Sequence, residues 1–282
     1  VVYLEGSSYR KPGVRMLITE NGDMIGAVSG GCVERDVYHE AQSVFKDHVP
    51  KLMTYDGRYR LGCEGTLYIL IEPIIISDAL YTAFITCLDR RQSFDICSYF
   101  EPAEVCSEKF GSLITFSGEQ MFSFRKSFPS NPNPALASFK QTLDPCFRLL
   151  IFGGEHDAVK LCAMASLLGW EVEVITSVKD PKIAADFPGA ASVTAQSPDL
   201  VEVSIDSETA VVLMNHNYVH DLKYLLKLET YQPKYIGILG SRKRHEKLIN
   251  EAYEHNPEFN DAILNSIHSP AGLHIGSLTP EE

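Results

Sequence analysis

The chain has 282 residues, of which 45% are hydrophobic and 22% are charged, a balance typical of a globular protein with an apolar core and room for two domains. Its formal net charge of −12 argues against nucleic acid as a partner, because phosphate binding needs a basic face. No apolar run approaches the ~20 residues that span a bilayer, so no membrane partner is expected.

The seven cysteines are odd in number and widely spaced, which is unlike a secreted disulfide framework. They favour a reduced, cytoplasmic setting. The chain opens on an apolar strand without an initiator Met, and it closes on residues typical of a helix start. We therefore interpret both ends as trimmed.

Residues 1–126 predict an α+β domain with a mixed sheet. A helix is expected after the glycine pair Gly30-Gly31, because apolar residues recur at helical spacing from Val33 to Phe45. A second helix is expected after a Ser77 cap and extends to Leu88. Strands are predicted over 1–4, 14–19, 24–28, 51–55, 66–72, 94–100, 112–116 and 121–124.

Residues 127–145 contain a proline-rich stretch without periodicity and are interpreted as the interdomain linker. From 146 to 282, apolar strands alternate with amphipathic helices, as in a Rossmann-like parallel α/β domain. The predicted fold class is therefore α/β, with an α+β first domain and a Rossmann-like second domain.

The first strand of that second domain, 147–152, leads into Gly153 and Gly154 and then a helix, the layout of a dinucleotide-binding unit. Glu155 stands where the second glycine of the G-x-G-x-x-G/A fingerprint belongs, although Ala158 fits the third position. The acidic residue that binds ribose is replaced by Thr176-Ser177. A Rossmann fold that keeps the tight turn without ordinary NAD binding is the favoured interpretation.

Two more polar segments follow predicted strands, where open α/β sheets place their sites. His216 is a candidate ligand or base, and the alternative is a histidine packed at a strand end. Ser241 and Arg242 open a basic helix that suits an anion, and the alternative is a solvated helix face.

Three glycine-rich loops stand out in the first domain: GSSYRKPG at 6–13, SGGCVE at 29–34 and LGCEG at 61–65. Cys32 lies at a helix start, where the helix dipole favours a thiolate, and Cys63 lies in a glycine loop before a strand. A thiolate is both a nucleophile and a ligand for soft metals. A lone cysteine is also commonly an inert buried hydrophobe, so both interpretations stay open.

The motifs at 6–13, 29–34 and 62–65, with IEP at 71–73, resemble the N-terminal domain of the XdhC/CoxI family, accessory factors for xanthine dehydrogenase and related molybdenum hydroxylases. The second half resembles the family's C-terminal Rossmann domain through four further motifs. These are FGGEH at 152–156, LGW at 168–170, YIGILGSR at 235–242 and HSPAGLHIG at 268–276.

The resemblance implies a maturation factor rather than a catalyst: a protein that binds molybdenum cofactor (molybdopterin) and helps deliver its sulfurated form to an apo molybdenum hydroxylase such as xanthine dehydrogenase. A cysteine desulfurase is a second implied partner, and a homodimer fits the family type. Three departures from the family pattern, at Glu155, Thr176-Ser177 and Asn215, argue against nucleotide binding by the second domain.

On this basis we expect Cys32 and Cys63 to contact the molybdenum or dithiolene end of the cofactor. Its phosphate is expected to meet three cations, and the remaining expected contacts lie in the glycine loops and at the strand ends of the second domain. The full set of expected cofactor-binding residues is Cys32, Cys63, Arg10, Lys11, Arg15, Gly30, Gly31, Gly62, Gly153, Gly154, His156, His216, Ser241 and Arg242.

Two alternatives belong to different classes of protein. The first is an NAD(P)-dependent oxidoreductase, with the Gly153 loop on the diphosphate and His216 as proton donor. The second is a scaffold that recruits partners without binding a cofactor.

Overall fold

A computed structural model describes residues 1–59, 64–118, 120–273, 276, 278 and 279, without the side chains of Cys32 and Tyr59. The chain divides into two compact units, Val1–Pro145 and Cys146–Glu282. Among the residues so described, no helix combines the length and the apolar character needed to cross a membrane.

The first unit contains two helices and ten described strands. In chain order these are β1 (Tyr3–Glu5), β2 (Met16–Ile18), β3 (Met24–Gly26), α1 (Cys32–Asp47), β4 (Lys51–Asp56), β5 (Thr66–Ile71), α2 (Asp78–Asp89), β6 (Phe94–Phe100), β7 (Val105–Cys106), β8 (Gly111–Thr115), β9 (Met121–Ser123) and β10 (Ala137–Leu143).

Antiparallel pairing organises this unit into a sheet of order β1-β5-β4-β7, a second sheet of order β10-β6-β8-β9, and the separate hairpin β2-β3. One face of α1 covers the first sheet, because Val33, Val37 and Val44 recur at helical spacing and are buried against Ile69. Ser77 caps α2 by accepting a hydrogen bond from the Leu80 N–H at 3.2 Å, as its sequence predicts.

The predicted linker differs from the structure over its last third. Residues Ala137–Leu143 pair with β6 along its whole length, from Ala137 opposite Phe100 to Leu143 opposite Phe94. Alternate side chains of β10 are partly buried, and Phe139 packs on a core cluster of the first unit. The prolines at 129, 132 and 134 lie just before this strand, and for that reason the sequence pattern predicts a linker rather than a strand.

The second unit contains four helices and six strands in the described residues. In chain order these are β11 (Arg148–Phe152), α3 (His156–Leu167), β12 (Glu171–Thr176), β13 (Ser192–Ala195), β14 (Thr209–Leu213), α4 (Tyr218–Leu228), β15 (Tyr235–Ile238), α5 (Arg242–His255), α6 (Asp261–Asn265) and β16 (Ile267–His268).

All six strands are parallel, in the order β13-β12-β11-β14-β15-β16. Counted within the unit this is 3-2-1-4-5-6, the order of dinucleotide-binding Rossmann folds. The central strands are apolar on both faces, since every residue of β14 is buried. The predicted α/β class, with a Rossmann-like second domain, is confirmed. In the first domain, the described strands form antiparallel sheets rather than the predicted mixed sheet.

Candidate functional site

Two of the three glycine-rich loops of the first unit leave its first sheet at the same end. Thr66 at the start of β5 lies opposite Glu5 on one neighbouring strand and opposite Asp56 on the other. Loop 6–13 therefore begins beside the end of loop 57–65.

Contact between these two loops is close enough to require glycine on both sides. A Cβ on Gly6, which has φ of +79°, would lie 2.6 Å from the carbonyl oxygen of Glu64. A Cβ on Gly65 would lie 2.6 Å from the carbonyl oxygen of Ser7. Because neither atom fits, the glycines set the distance between the loops.

One hydrogen bond joins the third loop, 29–34, to this pair, and two more stabilise that loop internally. The Arg10 Nη2 atom donates to the Ser29 carbonyl oxygen at 3.0 Å. The Glu34 carboxylate accepts from the Ser29 N–H and from the Gly31 N–H, both at 2.5 Å. The three predicted loops thus form one cluster, which we call the glycine-loop cluster (residues 6–13, 29–34, 64 and 65).

Glu34 is ionised in this position although only 8% of its surface is exposed. Burial alone raises the pKa of its carboxyl, but backbone N–H donors, those of Ser29 and Gly31 among them, outweigh that effect and hold the pKa below its ordinary value. The Glu34 carboxylate therefore already pairs with the positive end of the α1 helix dipole.

The outer side of the glycine pair in this cluster is open. Among the described residues, a Cβ on Gly30 or on Gly31 would meet no atom within 4 Å, and Gly31 has φ of +105°. The open face can receive a ligand directly against the backbone, as the glycine-rich sequence at this position predicts.

The predicted cations separate into two groups. Arg10 and Lys11 are exposed on the cluster. Arg15 instead donates from Nε to Gln141 at 3.1 Å and lines a cavity of about 370 Å³ with Glu72. Gln141 also lies against Gly13, the last residue of the first loop, because a Cβ on Gly13 would be 2.8 Å from the Gln141 Nε2 atom.

Three predicted contacts cannot be placed. Gly62 and Cys63 lie outside the described residues, and so does the side chain of Cys32, although the backbone of Cys32 is the first turn of α1. Elsewhere in the described part of the chain, no three His, Cys, Asp or Glu side chains are grouped so that they could hold a metal ion.

In the second unit, the change of direction in strand order falls between β11 and β14, where Rossmann folds bind their ligands. The two loops at this point touch. A Cβ on Gly153, which has φ of +150°, would lie 2.7 Å from the carbonyl oxygen of Met214. Gly153 is thus required for the tight turn, as its place in the motif predicts.

The dinucleotide features of this crevice are incomplete in the structure as in the sequence. Exposed Glu155 is the residue before α3, and exposed His156 is its first residue. At the end of β12, the buried Thr176 hydroxyl accepts from the Lys182 N–H at 3.3 Å and donates to the Thr194 carbonyl at 3.4 Å. A Cβ added to Gly154 would lie 3.4 Å from the side-chain stem of Lys182.

The remaining predicted residues of this unit follow the next two strands. His216 is exposed after β14, and Arg242 is exposed at the start of α5. Ser241 caps α5 by accepting from the Arg244 N–H at 3.4 Å. Beside them, Arg244 donates from Nη2 to the Asn215 carbonyl at 3.1 Å and to the Asp221 carboxylate at 2.6 Å, which ties the two strand-end loops together.

Two residues of these sites were not singled out from the sequence. Glu34 is detectable in principle, because a glutamate three residues into a helix that follows a glycine or serine cap is a known pattern for holding the cap N–H. Lys182 has no such signal, since it reaches Gly154 from a loop that sequence periodicity does not describe.

Comparison with known families gives two matches. The profile described as the XdhC and CoxI family matches residues 1–56, and the profile described as the XdhC Rossmann domain matches residues 149–282. Together they match about two thirds of the chain, on both sides of the unit boundary. The chain belongs to the XdhC/CoxI family.

Individual proteins are similar to this chain over most of their own length. A Bacillus subtilis protein named as a probable subunit of xanthine dehydrogenase is 28% identical, covering 100% of this chain and 88% of the relative. The "Molybdenum cofactor insertion chaperone PaoD" of Escherichia coli is 24% identical, covering 90% of this chain and 70% of the relative. A crystal structure described as a xanthine dehydrogenase from Bacillus halodurans is 27% identical, with a TM-score of 0.80 over 100% of this chain and 86% of that one.

Proposed function

We propose that this chain is a maturation factor that binds molybdenum cofactor and helps to insert it, in sulfurated form, into a molybdenum hydroxylase of the xanthine dehydrogenase type. The observation that carries the proposal is the convergence of the three glycine-rich loops at one end of a sheet. It occurs in a chain similar over 90% of its length to a protein named as a molybdenum cofactor insertion chaperone.

The chemistry of the glycine-loop cluster suits such a cargo. Arg10 and Lys11 offer guanidinium and ammonium donors for the cofactor's phosphate. Gly30 and Gly31 leave open backbone against which a flat, bulky ligand can lie. Cys32 begins α1 next to the glycine pair, Cys63 directly precedes Glu64 of the cluster in the sequence, and thiolates suit a soft metal–sulfur centre.

In the proposal, the second unit either contributes contacts to the cofactor or docks the apo-enzyme or a cysteine desulfurase that supplies sulfur. Residues His156, His216, Ser241 and Arg242 are the contacts proposed for this half. Homodimer formation is part of the proposal on the family resemblance alone.

The NAD(P)-dependent oxidoreductase is the weaker candidate on geometric grounds. A diphosphate at the Gly153 turn would approach the exposed carboxylate of Glu155. The position that normally binds the ribose is held by Thr176, whose hydroxyl is already hydrogen-bonded within the protein. Titration with NADPH, followed by Trp170 fluorescence, tests it directly, and micromolar binding would restore this candidate.

The deciding experiment measures pterin released from protein purified out of cells that make molybdenum cofactor. Wild type is compared with Cys32→Ala, Cys63→Ala and, as a matched control, Cys106→Ala, since Cys106 is exposed on β7. We expect pterin in wild type and in the control, and less in the two loop variants. No pterin in wild type, under conditions where a known carrier retains it, would overturn the proposal.

A further inference from the structure

Both backbone polar groups of Ser29, its carbonyl and its N–H, are hydrogen-bonded. Its carbonyl accepts from Arg10 of the first glycine loop at 3.0 Å. Its N–H donates at 2.5 Å to Glu34, one turn into α1. Ser29 itself is buried, with 8% of its surface exposed. The backbone of this one residue therefore links the cation loop (residues 6–13) to the helix that begins at Cys32.

Glu34 is the group that fixes the conformation between these points. Glycine is the residue with the largest conformational freedom to lose, and here two glycines stand in a row. No described side chain packs on the positions that a Cβ would occupy on either one. The second carboxylate oxygen of Glu34 takes the Gly31 N–H at 2.5 Å, so the two hydrogen bonds of Glu34 enclose the pair.

The same two hydrogen bonds limit what the loop offers an anion. The N–H groups of Ser29 and Gly31 are occupied by a carboxylate. An anionic ligand on the open face would meet that negative charge from the other side of the loop. A phosphate bound here would therefore rely on the side chains of Arg10 and Lys11 rather than on these two N–H groups.

We propose that Glu34 is a positioning residue for cofactor binding: through the backbone of Ser29 it holds the cation loop and the Cys32 loop in the arrangement that receives the cofactor. The inference rests on the proposed function and adds to it a residue that touches neither phosphate nor metal. Replacing the carboxylate by a carboxamide tests it with little change of shape, because Glu34→Gln retains only one acceptor and turns an NH2 group towards a backbone N–H.

The experiment compares pterin content in wild type, Glu34→Gln and two controls on the same helix. Glu40→Gln removes a carboxylate whose partner is Lys51, away from the glycine pair. Val44→Ala removes core packing, because Val44 is 3% exposed, and leaves the Glu34 hydrogen bonds in place. We expect about tenfold less pterin in Glu34→Gln, the loss typical of one charge-assisted hydrogen bond, and retention in both controls. The Tm of Val44→Ala is expected to fall at least as far as that of Glu34→Gln.

A second measurement needs no cofactor. Hydrogen–deuterium exchange of the peptide covering residues 28–33 should rise in Glu34→Gln and stay at the wild-type rate in Glu40→Gln. Unchanged exchange would show that the hydrogen bonds do not hold the loop. Pterin loss that tracks Tm across all variants would reduce Glu34 to a stabilising residue, and either result overturns the inference. Wild type without pterin would instead overturn the proposed function, while exchange still reports on the loop.

Discussion

Arg244 donates a hydrogen bond of 2.6 Å to the carboxylate of Asp221, and Asp221 has no exposed surface. Burial raises the pKa of this carboxyl even though Arg244 and Asn215 both stabilise its charged form. The pair joins α4 to α5 and, through the Asn215 carbonyl, fixes the loop that carries His216.

Loss of one partner of this ion pair should be costly. Arg244→Met leaves the Asp221 carboxylate buried without its cation, and we expect the second unit to lose about 3–5 kcal/mol of stability. The double variant Arg244→Met/Asp221→Asn should lose less, since no uncompensated charge remains. Urea unfolding followed by Trp170, the one tryptophan of the chain, reports on this unit. Equal losses in the two variants would contradict the ion-pair explanation.

His245 makes the stability of the second unit depend on pH. Burial lowers its pKa from the ordinary value of 6.5, so the unfolded chain takes up a proton at a higher pH than the folded one. Stability should therefore be full above pH 6.5 and fall as the pH drops below that value. His245→Gln should remove this part of the slope, as measured by urea midpoints between pH 5 and 8. A variant with the wild-type slope would rule His245 out as its source.

Neighbouring glycines in the β11–α3 turn should respond differently to alanine. Gly153→Ala places a Cβ 2.7 Å from the Met214 carbonyl oxygen and should cost about 1–3 kcal/mol. Gly154→Ala meets its nearest atoms at 3.4 Å and serves as the matched control, with little expected loss. Thermal unfolding of both variants checks the difference, and similar Tm values would contradict the contact.

A side chain added on the open face of the glycine-loop cluster should leave folding unchanged but prevent cofactor binding. A Cβ on Gly30 meets no described atom within 4 Å, so Gly30→Val should fold with a near-normal Tm. If cofactor lies on that face, the valine blocks it and pterin is lost. Gly118→Val, at another open glycine of the first unit, controls for added bulk, although its φ of +80° adds local strain. Pterin retained by Gly30→Val would place the cofactor elsewhere.

Local patterns predict much of this fold because each element depends on its own residues. The strand Phe94–Phe100 and the Ser77 cap agree with their predicted positions, since apolar alternation and a capping serine act over a few residues. The strand Ala137–Leu143 differs, because it is stabilised by pairing with β6, some forty residues earlier in the chain.

In the candidate site, too, local features are predictable from the sequence and long-range contacts are not. The glycine loops are visible as motifs, and their meeting point depends on strand register that no motif encodes. Arg15 belongs to the same stretch of sequence as Arg10 and Lys11, yet its side chain turns to Gln141, a partner 126 positions away. Sequence spacing does not reveal this partner, because Gln141 belongs to a strand far along the chain.

Thr176 also has a consequence for how this family member can change over generations. A dinucleotide-binding descendant needs an acidic side chain at the end of β12, and Thr176 is 1% exposed with both of its hydrogen bonds made inside the protein. Aspartate there loses the donor to Thr194 and buries a charge with one N–H partner, so it destabilises the unit before any ligand can compensate. The exposed carboxylate of Glu155 also opposes a diphosphate, so a nucleotide-binding descendant needs changes at both positions, and the change at Thr176 carries a cost to folding.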